Sequence, residues 1–226
     1  MRYVRCAAAV LTAVGLVTVL GSTATAAPAA GQDTAQSCGP VKLSGALPAP
    51  PAGMSVQQTV TIGEDCRPEL GPVRYEPTST AASSPARASA AAASVTRQLR
   101  SWNEMYDCCN IRMTGLYSTA TWTVADGRIS SATTTATQEW NREPWDAGWS
   151  LKAATDKKDC ATDCPVVNHE ADADFTYKGV FDITGEWYAN THHSSVGLNP
   201  DATAVCTFDV ELRNTFIGWN WQRGCE

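Results

Sequence analysis

Cysteine and histidine are the residues of this 226-residue chain that could bind a metal, exchange electrons or move protons; there are nine cysteines and three histidines. Two cysteines are adjacent, Cys108 and Cys109, in the stretch MYDCCNIRM. A zinc site spaces its paired ligands by about two to four residues. Cys160 and Cys164 have such a spacing and the adjacent pair does not, so no metal and no cofactor is assigned. Adjacent cysteines seldom bond to each other, because the small ring strains the peptide between them. Cys108 and Cys109 are therefore expected to take two different partners among Cys160, Cys164, Cys206 and Cys225. Cys38 and Cys66 stand apart from the rest and are expected to pair with each other.

The histidines point to no reaction. His169 lies in NHEADAD with Glu170, Asp172 and Asp174, without the alternation and central glycine of a calcium loop. Ser194, His169 and Asp172 could make a triad on paper, but no serine sits in a Gly-x-Ser-x-Gly elbow. Asp209 and Glu211 share a strand face, as a pair of glycosidase carboxylates would. That face reads as wet, so neither gains a raised pKa. No catalytic residue is assigned. Tryptophan offers another chemistry, stacking on sugars. Trp145 and Trp149 lie in EWNREPWDAGW, and Trp219 and Trp221 lie two apart in GWNWQRGC.

The compartment is clearer. Arg2 and Arg5, an apolar run from Ala7 to Leu20 and the small-residue site Ala24-Thr25-Ala26 read as a secretory signal peptide over 1–26. The run is shorter than the roughly 20 residues that span a bilayer. A secreted, extracellular protein with no membrane partner is expected. Removing the signal takes Cys6 with it and leaves an even number of cysteines, the arithmetic of disulfides. The chain has 23 acidic against 17 basic residues, and the signal removes two of the basic ones. Such a surface repels phosphate backbones, so no nucleic-acid partner is expected.

Composition divides the remainder. Residues 27–75 are rich in proline and poor in large apolar side chains, and read as an extended arm with one strand-like segment, SVQQTVTI. Residues 76–100 read as an Ala/Ser-rich linker or a helix, with a start signal at Ser84-Pro85 and alanines through Ala93. Residues 101–226 hold all eight tryptophans and all four phenylalanines, and read as the folded β domain. Asp126-Gly127 between two β-prone runs predicts a type I′ hairpin. Counting outward pairs Ala125 with Arg128, Val124 with Ile129 and Trp122 with Ser131. Leu116, Ala120, Trp122, Val124 and Ile129 should then be buried, with Tyr117, Thr119, Thr121, Thr123, Ser130 and Thr134 facing out. Alternation predicts further strands, one running on through ADFTYKGVFD to Phe181, one in GEWYANTH with Trp187 and Ala189 on one side and Tyr188 on the other, and one in TAVCTFDVELRNTF. The fold expected is mostly β: a disulfide-stapled antiparallel β-sandwich or barrel, preceded by an extended, partly disordered N-terminal arm.

These readings converge on a secreted, non-enzymatic interaction module, an adaptor or subunit of an extracellular, toxin-like assembly. Its arm would add a strand to another secreted protein, anchored by Val56, Val60 and Ile62. The alternatives are a carbohydrate or cell-wall binding module working through Trp145, Trp149, Trp219 and Trp221, and a hydrolase or hydrolase inhibitor using the 160–164 loop.

Overall fold

A computed structural model of the chain describes residues 37–51, 53–78, 94–142 and 148–226. The signal peptide at 1–26, the helix expected from Ser84 to Ala93 and Trp145 lie outside them. Two antiparallel sheets enclose one core. The first sheet runs in the order β1 (Ser37–Leu47), β11 (Ala204–Phe216), β10 (Ala189–Leu198), β9 (Val167–Tyr177) and β8 (Trp149–Lys158). The second runs β3 (Pro68–Leu70), β2 (Met54–Ile62), β12 (Asn220–Cys225), β5 (Val95–Tyr106), β6 (Arg112–Ala125) and β7 (Arg128–Trp140), with β4 (Arg74–Pro77) also paired to β2.

Alternation of side chains builds the core. On β11, Ala204, Cys206, Phe208, Val210 and Leu212 all point inward and are buried. On β9, Val167, Ala171, Ala173, Phe175 and Tyr177 do the same. The sixth inward residue of that strand is His169, so NHEADAD lies within a strand. The β6–β7 hairpin turns at Asp126-Gly127, whose φ angles of 52° and 72° are the left-handed pair that a type I′ turn needs. Ala125 pairs with Arg128 and Val124 with Ile129, as counted. A bulge then shifts the register, and Trp122 meets Ala132 instead of Ser131. Leu116, Ala120, Trp122 and Ile129 are buried, Val124 is only partly so, and Tyr117 on the opposite face is buried as well, under the Glu104 cluster. The extra residue turns Thr134 to the same side as Ala132, the inner one.

The structure corrects the division of the chain. β2 lies inside the second sheet, with β12 on one side and β3 and β4 on the other. Val56, Val60 and Ile62 are 0–3% exposed and belong to the core. β1 is likewise a full member of the first sheet, paired with β11 over its whole length. Over its described residues, the stretch 27–75 is therefore not an arm. Residues 95–100 form the start of β5, not a linker or a helix. A sandwich strand buries only every second side chain, so a segment poor in aromatics can still be internal when the neighbouring strands supply the bulk. β12 does this for β2, with Trp221 opposite Val60.

Three disulfides lock the arrangement. Cys38–Cys66 joins the start of β1 to the loop after β2, as expected. Cys206–Cys225 crosses the core from β11 to β12, and both residues are buried. Cys160–Cys164 closes the β8–β9 connection. Cys160, Cys164, Cys206 and Cys225 thus bond among themselves, against the expectation that they would hold Cys108 and Cys109. That expectation weighed ring strain but not position. Cys108 and Cys109 lie in the β5–β6 turn, at the end of the sandwich opposite to Cys160 and Cys164. No helix among the described residues is long and apolar enough to cross a membrane.

A polar network sits between the sheets. Asn103 on β5 is fully buried. Its Nδ2 donates to the carbonyls of His193 (3.0 Å) and Asp209 (3.1 Å) on the facing sheet. Its Oδ1 accepts from Trp221 Nε1 (2.7 Å) and His192 Nδ1 (3.0 Å). The Thr114 hydroxyl donates to His192 Nε2 (2.8 Å) and accepts from Asn190 Nδ2 (2.9 Å). Every bond in this set fits a neutral imidazole with its proton on Nδ1. Burial pushes the His192 pKa down from 6.5 to about 3, against the opposing pull of Asn103.

Two predictions follow from this core. Ile62→Ala opens a cavity and should cost about 2–5 kcal/mol, read as a lowered urea midpoint; an unchanged midpoint would mean that β2 is not internal. The unfolded chain protonates His192 near 6.5, but the folded chain does so only near 3. Its contribution is complete above 6.5 and is lost as pH falls towards 3, by about 1.4 kcal/mol per pH unit. Carboxylates with lowered pKa (Asp172, Asp182 and Asp201) lose theirs only below their ordinary 3.8. The fall in melting temperature between about pH 6 and pH 4 should therefore flatten in His192→Gln, and an equal slope in both proteins would contradict the assignment.

Candidate functional site

None of the chemistry-bearing sets proposed from sequence is assembled. Ser194 faces inward, 3.4 Å from Asn103 Nδ2. His169 is buried and meets Asp156 at 2.8 Å. Asp172 lies on the outer face, where His193 Nδ1 (2.7 Å) and the Thr155 hydroxyl (2.7 Å) meet its two oxygens. Asp209 and Glu211 are on that outer face as well, and Glu211 pairs with Lys42 at 2.9 Å. Among the described residues no three or more His, Cys, Asp or Glu side chains stand close enough to hold a metal. The 160–164 loop does not protrude freely. Cys164 bridges Ile129 through two backbone hydrogen bonds, and Ala132 N donates to Ala161 O.

The tryptophans singled out as stacking platforms are mostly core. Trp149 packs edge-on against Tyr177 at 5.6 Å. Trp219 is buried among Tyr188 and Phe216. Trp221 is buried, with its N–H spent on Asn103. The expectation put both on one face of a strand; Trp219 instead precedes β12, and both side chains are buried.

The conspicuous surface feature is the β9–β10 connection, residues 178–188. Val180, Phe181, Ile183 and Trp187 are 63–88% exposed there. Several large exposed apolar side chains in one short loop are the kind of surface feature that interaction sites use. The expected strand through Phe181 stops at Tyr177, because Gly179 and Asp182 form a tight turn with backbone bonds of 2.9 and 3.1 Å.

Asp182 organises this loop from inside, with only 4% of its surface exposed. Its Oδ1 accepts from Thr184 N (3.1 Å), Thr184 Oγ1 (2.7 Å) and Gly185 N (2.9 Å). Its Oδ2 accepts from Trp187 N (2.7 Å) and Tyr188 N (3.2 Å). Burial alone would raise its pKa, but these bonds outweigh it and hold the carboxyl far below the usual carboxylate range. β11 braces the loop from behind. Arg213 Nη1 donates to Glu186 O and Asn214 Nδ2 to Trp187 O, both at 2.6 Å. The apolar side chains thus project from a loop whose backbone is already ordered. The sequence signal for this was Asp182-Ile183-Thr184-Gly185, an Asx-turn pattern that interrupts the alternation.

A second cluster lies on the outer face of the second sheet. Glu104 is only 9% exposed. Its carboxylate accepts from the hydroxyls of Tyr117 and Tyr106 (3.1 Å) and from Arg112 Nη1 (3.3 Å). Arg112 Nη2 reaches Glu139. Gly115 stands opposite Glu104 and keeps the room, since a Cβ there would lie 3.0 Å from the Tyr117 hydroxyl oxygen. Burial and then the Glu104 charge push Tyr106 up to about 12, and they raise Tyr117 as well. Both phenols stay protonated and one guanidinium serves both carboxylates, an arrangement suited to holding polar groups. Half-buried Trp102 lies over Gly224 beside this cluster, with Gln222 and Asn220 on the next strand.

If Asp182 orders the loop, Asp182→Ala should leave the sandwich folded while freeing the loop. Amide exchange at Thr184, Gly185, Trp187 and Tyr188 should rise about tenfold, with the core amides unaffected. Equal protection in both proteins would show that the loop holds its shape without the carboxylate. The chain matches no protein-family model, no curated protein and no solved structure, so its own surface is the guide to what it does.

Proposed function

We propose that this chain is a secreted, non-enzymatic interaction module that docks on another extracellular protein through residues 178–188. One observation carries the reading: four large apolar side chains held in water by a loop that a buried carboxylate has already ordered. A preorganised loop loses little conformational entropy on binding, so its apolar area goes largely into affinity. The disulfides fit an oxidising compartment, and the apolar stretch at the start of the sequence fits export. An adaptor in a larger extracellular assembly is the concrete form of this proposal. Strand donation by SVQQTVTI is set aside, because β2 is already paired on both sides.

Carbohydrate binding is the second reading, and the Trp102–Tyr117–Glu104–Arg112 surface favours it. A ring face to stack on, with amide and guanidinium donors alongside, is a common way of holding a sugar.

The two readings separate in one experiment. The protein and its variants are used as bait in the culture fluid of the producing cells and on insoluble cell wall. Phe181→Asp should weaken capture of a secreted protein about thirtyfold or more, the effect of losing a hot spot of roughly 2 kcal/mol. Its melting temperature should stay unchanged, since Phe181 is outside the core. Trp102→Ala should leave that capture intact. If Phe181→Asp has no effect and Trp102→Ala abolishes retention on cell wall, the carbohydrate reading replaces the first. Loss of retention on lipid vesicles alone would make the loop a membrane-docking element instead.

A further inference from the structure

The two sheets do not end together. β1 is the edge strand of the first sheet and packs against β2 of the second. β3 and β4 carry the second sheet one strand further, and all their residues are exposed. Their side chains alternate nevertheless. Leu70 pairs with Val60 and Tyr75 with Val56. Directly opposed residues share a face, so Leu70 and Tyr75 point to the inner side. Pro68 and Pro77 do so too, opposite Ile62 and Met54. Glu69, Arg74 and Glu76 take the outer side. Apolar inward and polar outward is the pattern of a strand covered on one face, yet Leu70 is 70% exposed and Tyr75 47%. An apolar ledge thus projects past β1, and the open edge of β1 runs beside it.

A cation lies where the ledge meets β1. Arg223 is 3% exposed and stacks over the Trp221 ring at 4.4 Å. Its Nη2 donates to Gln58 Oε1 (2.6 Å), and Gln58 Nε2 donates on to the carbonyl of Gly71, the residue after Leu70 (2.8 Å). On the β1 side Nη1 fills the room that Gly45 leaves, since an added Cβ there would run into it. Nε and Nη1 have no hydrogen-bond partner. The Asp209 charge pulls on the guanidinium from β11, but no carboxylate bonds to either nitrogen. A buried cation is costly unless it is paired.

We infer that β1 and the ledge accept one extended strand of another polypeptide, with apolar side chains toward Leu70 and Tyr75 and an acidic side chain toward Arg223. The strand lies beside β1 as a sixth member of the first sheet, its backbone bonded to the open edge. It covers the face that β3 and β4 leave bare. Stacked sheets stand about 10 Å apart, so one layer of side chains fills the gap. Charge complementarity selects the acid, because the unpaired guanidinium is at the inner corner of the ledge. Only a lone strand fits. A second copy pairing its β1 with this one would bring its own β2 to the place of β3 and β4. The inference does not rest on docking through residues 178–188.

The probe is a phage library of short peptides in which threonine alternates with randomised positions, panned on the full immobilised chain. The expected selection has large apolar residues at the randomised positions with an Asp or Glu among them. A synthetic peptide of the selected sequence should slow amide exchange in β1. Leu70→Glu combined with Tyr75→Glu should weaken its binding about tenfold or more, with the melting temperature unchanged because both side chains are exposed. Phe181→Asp should bind the peptide as before. Replacing the acid of the peptide by its amide should weaken binding to the unsubstituted protein about tenfold and have no effect with Arg223→Gln. The peptide change is read on an intact protein, so it stands whether or not Arg223→Gln folds. No enrichment, selected peptides without an acid, equal affinity of the acid and amide peptides, binding that survives the double variant or leaves β1 exchange unaltered, or a dimer of the chain that the double variant dissolves would each overturn the inference.

Discussion

One buried amide sets the position of each sheet against the other. Asn103 projects from the middle of the second sheet and bonds to backbone carbonyls on β10 and β11 in the middle of the first. A buried amide is tolerated only when its hydrogen-bonding capacity is met, because desolvation without a partner costs a few kcal/mol. The donors and acceptors around Asn103 fit in one alignment of the sheets. A slip by one residue on β5 would turn Asn103 to solvent and bring Trp102 or Glu104 inward. Apolar packing alone would be less discriminating, since Leu, Val and Phe can exchange places at modest cost. The neutral His192 belongs to the same constraint. It accepts from Thr114 only while unprotonated, which links the inter-sheet alignment to a deprotonated ring.

The ends of the sandwich are unlike as a result of where the chain turns. At one end the connections are short or strapped down: Asp126-Gly127, the disulfide-closed 160–164 loop and the Asn199–Thr203 turn. The other end carries the 107–111 turn, the 178–188 loop and the β11–β12 turn. There Gly218 adjoins Cys108, the next residue Trp219 packs on Tyr188, and Tyr188 donates to Asp182. The apolar loop and the 107–111 turn are thus joined by one continuous line of contacts. Each of these loops is held by a carboxylate, Asp107 at the start of one and Asp182 within the other.

How much of this was legible in the sequence depended on the kind of signal. Local chemistry read well. Asp126-Gly127 gave the hairpin, period-two alternation gave the faces of β11, and isolation in sequence gave Cys38–Cys66. Signals that need a neighbour read badly. SVQQTVTI was visible as a strand, but nothing in it says that Trp221 will lie beside Val60. The bulge after Thr123 has no distinctive residue, so the pairing of Trp122 was counted one place off. Composition misled more than pattern did. The proline-rich stretch 27–75 reads as too poor in apolar mass to join a core, yet half of each strand it contains faces water and needs none. The candidate site was hidden for another reason. Alternation continues numerically through Phe181, while the backbone has already turned at Gly179 and Asp182.

The place of β12 has a consequence for how the molecule is made. This strand follows all the others in the chain, yet it lies between β2 and β5 and carries Cys225 to its partner on β11. Until it arrives, the second sheet exists as two separate pieces and Asn103 lacks Trp221. The core closes only once β12 is in place between β2 and β5.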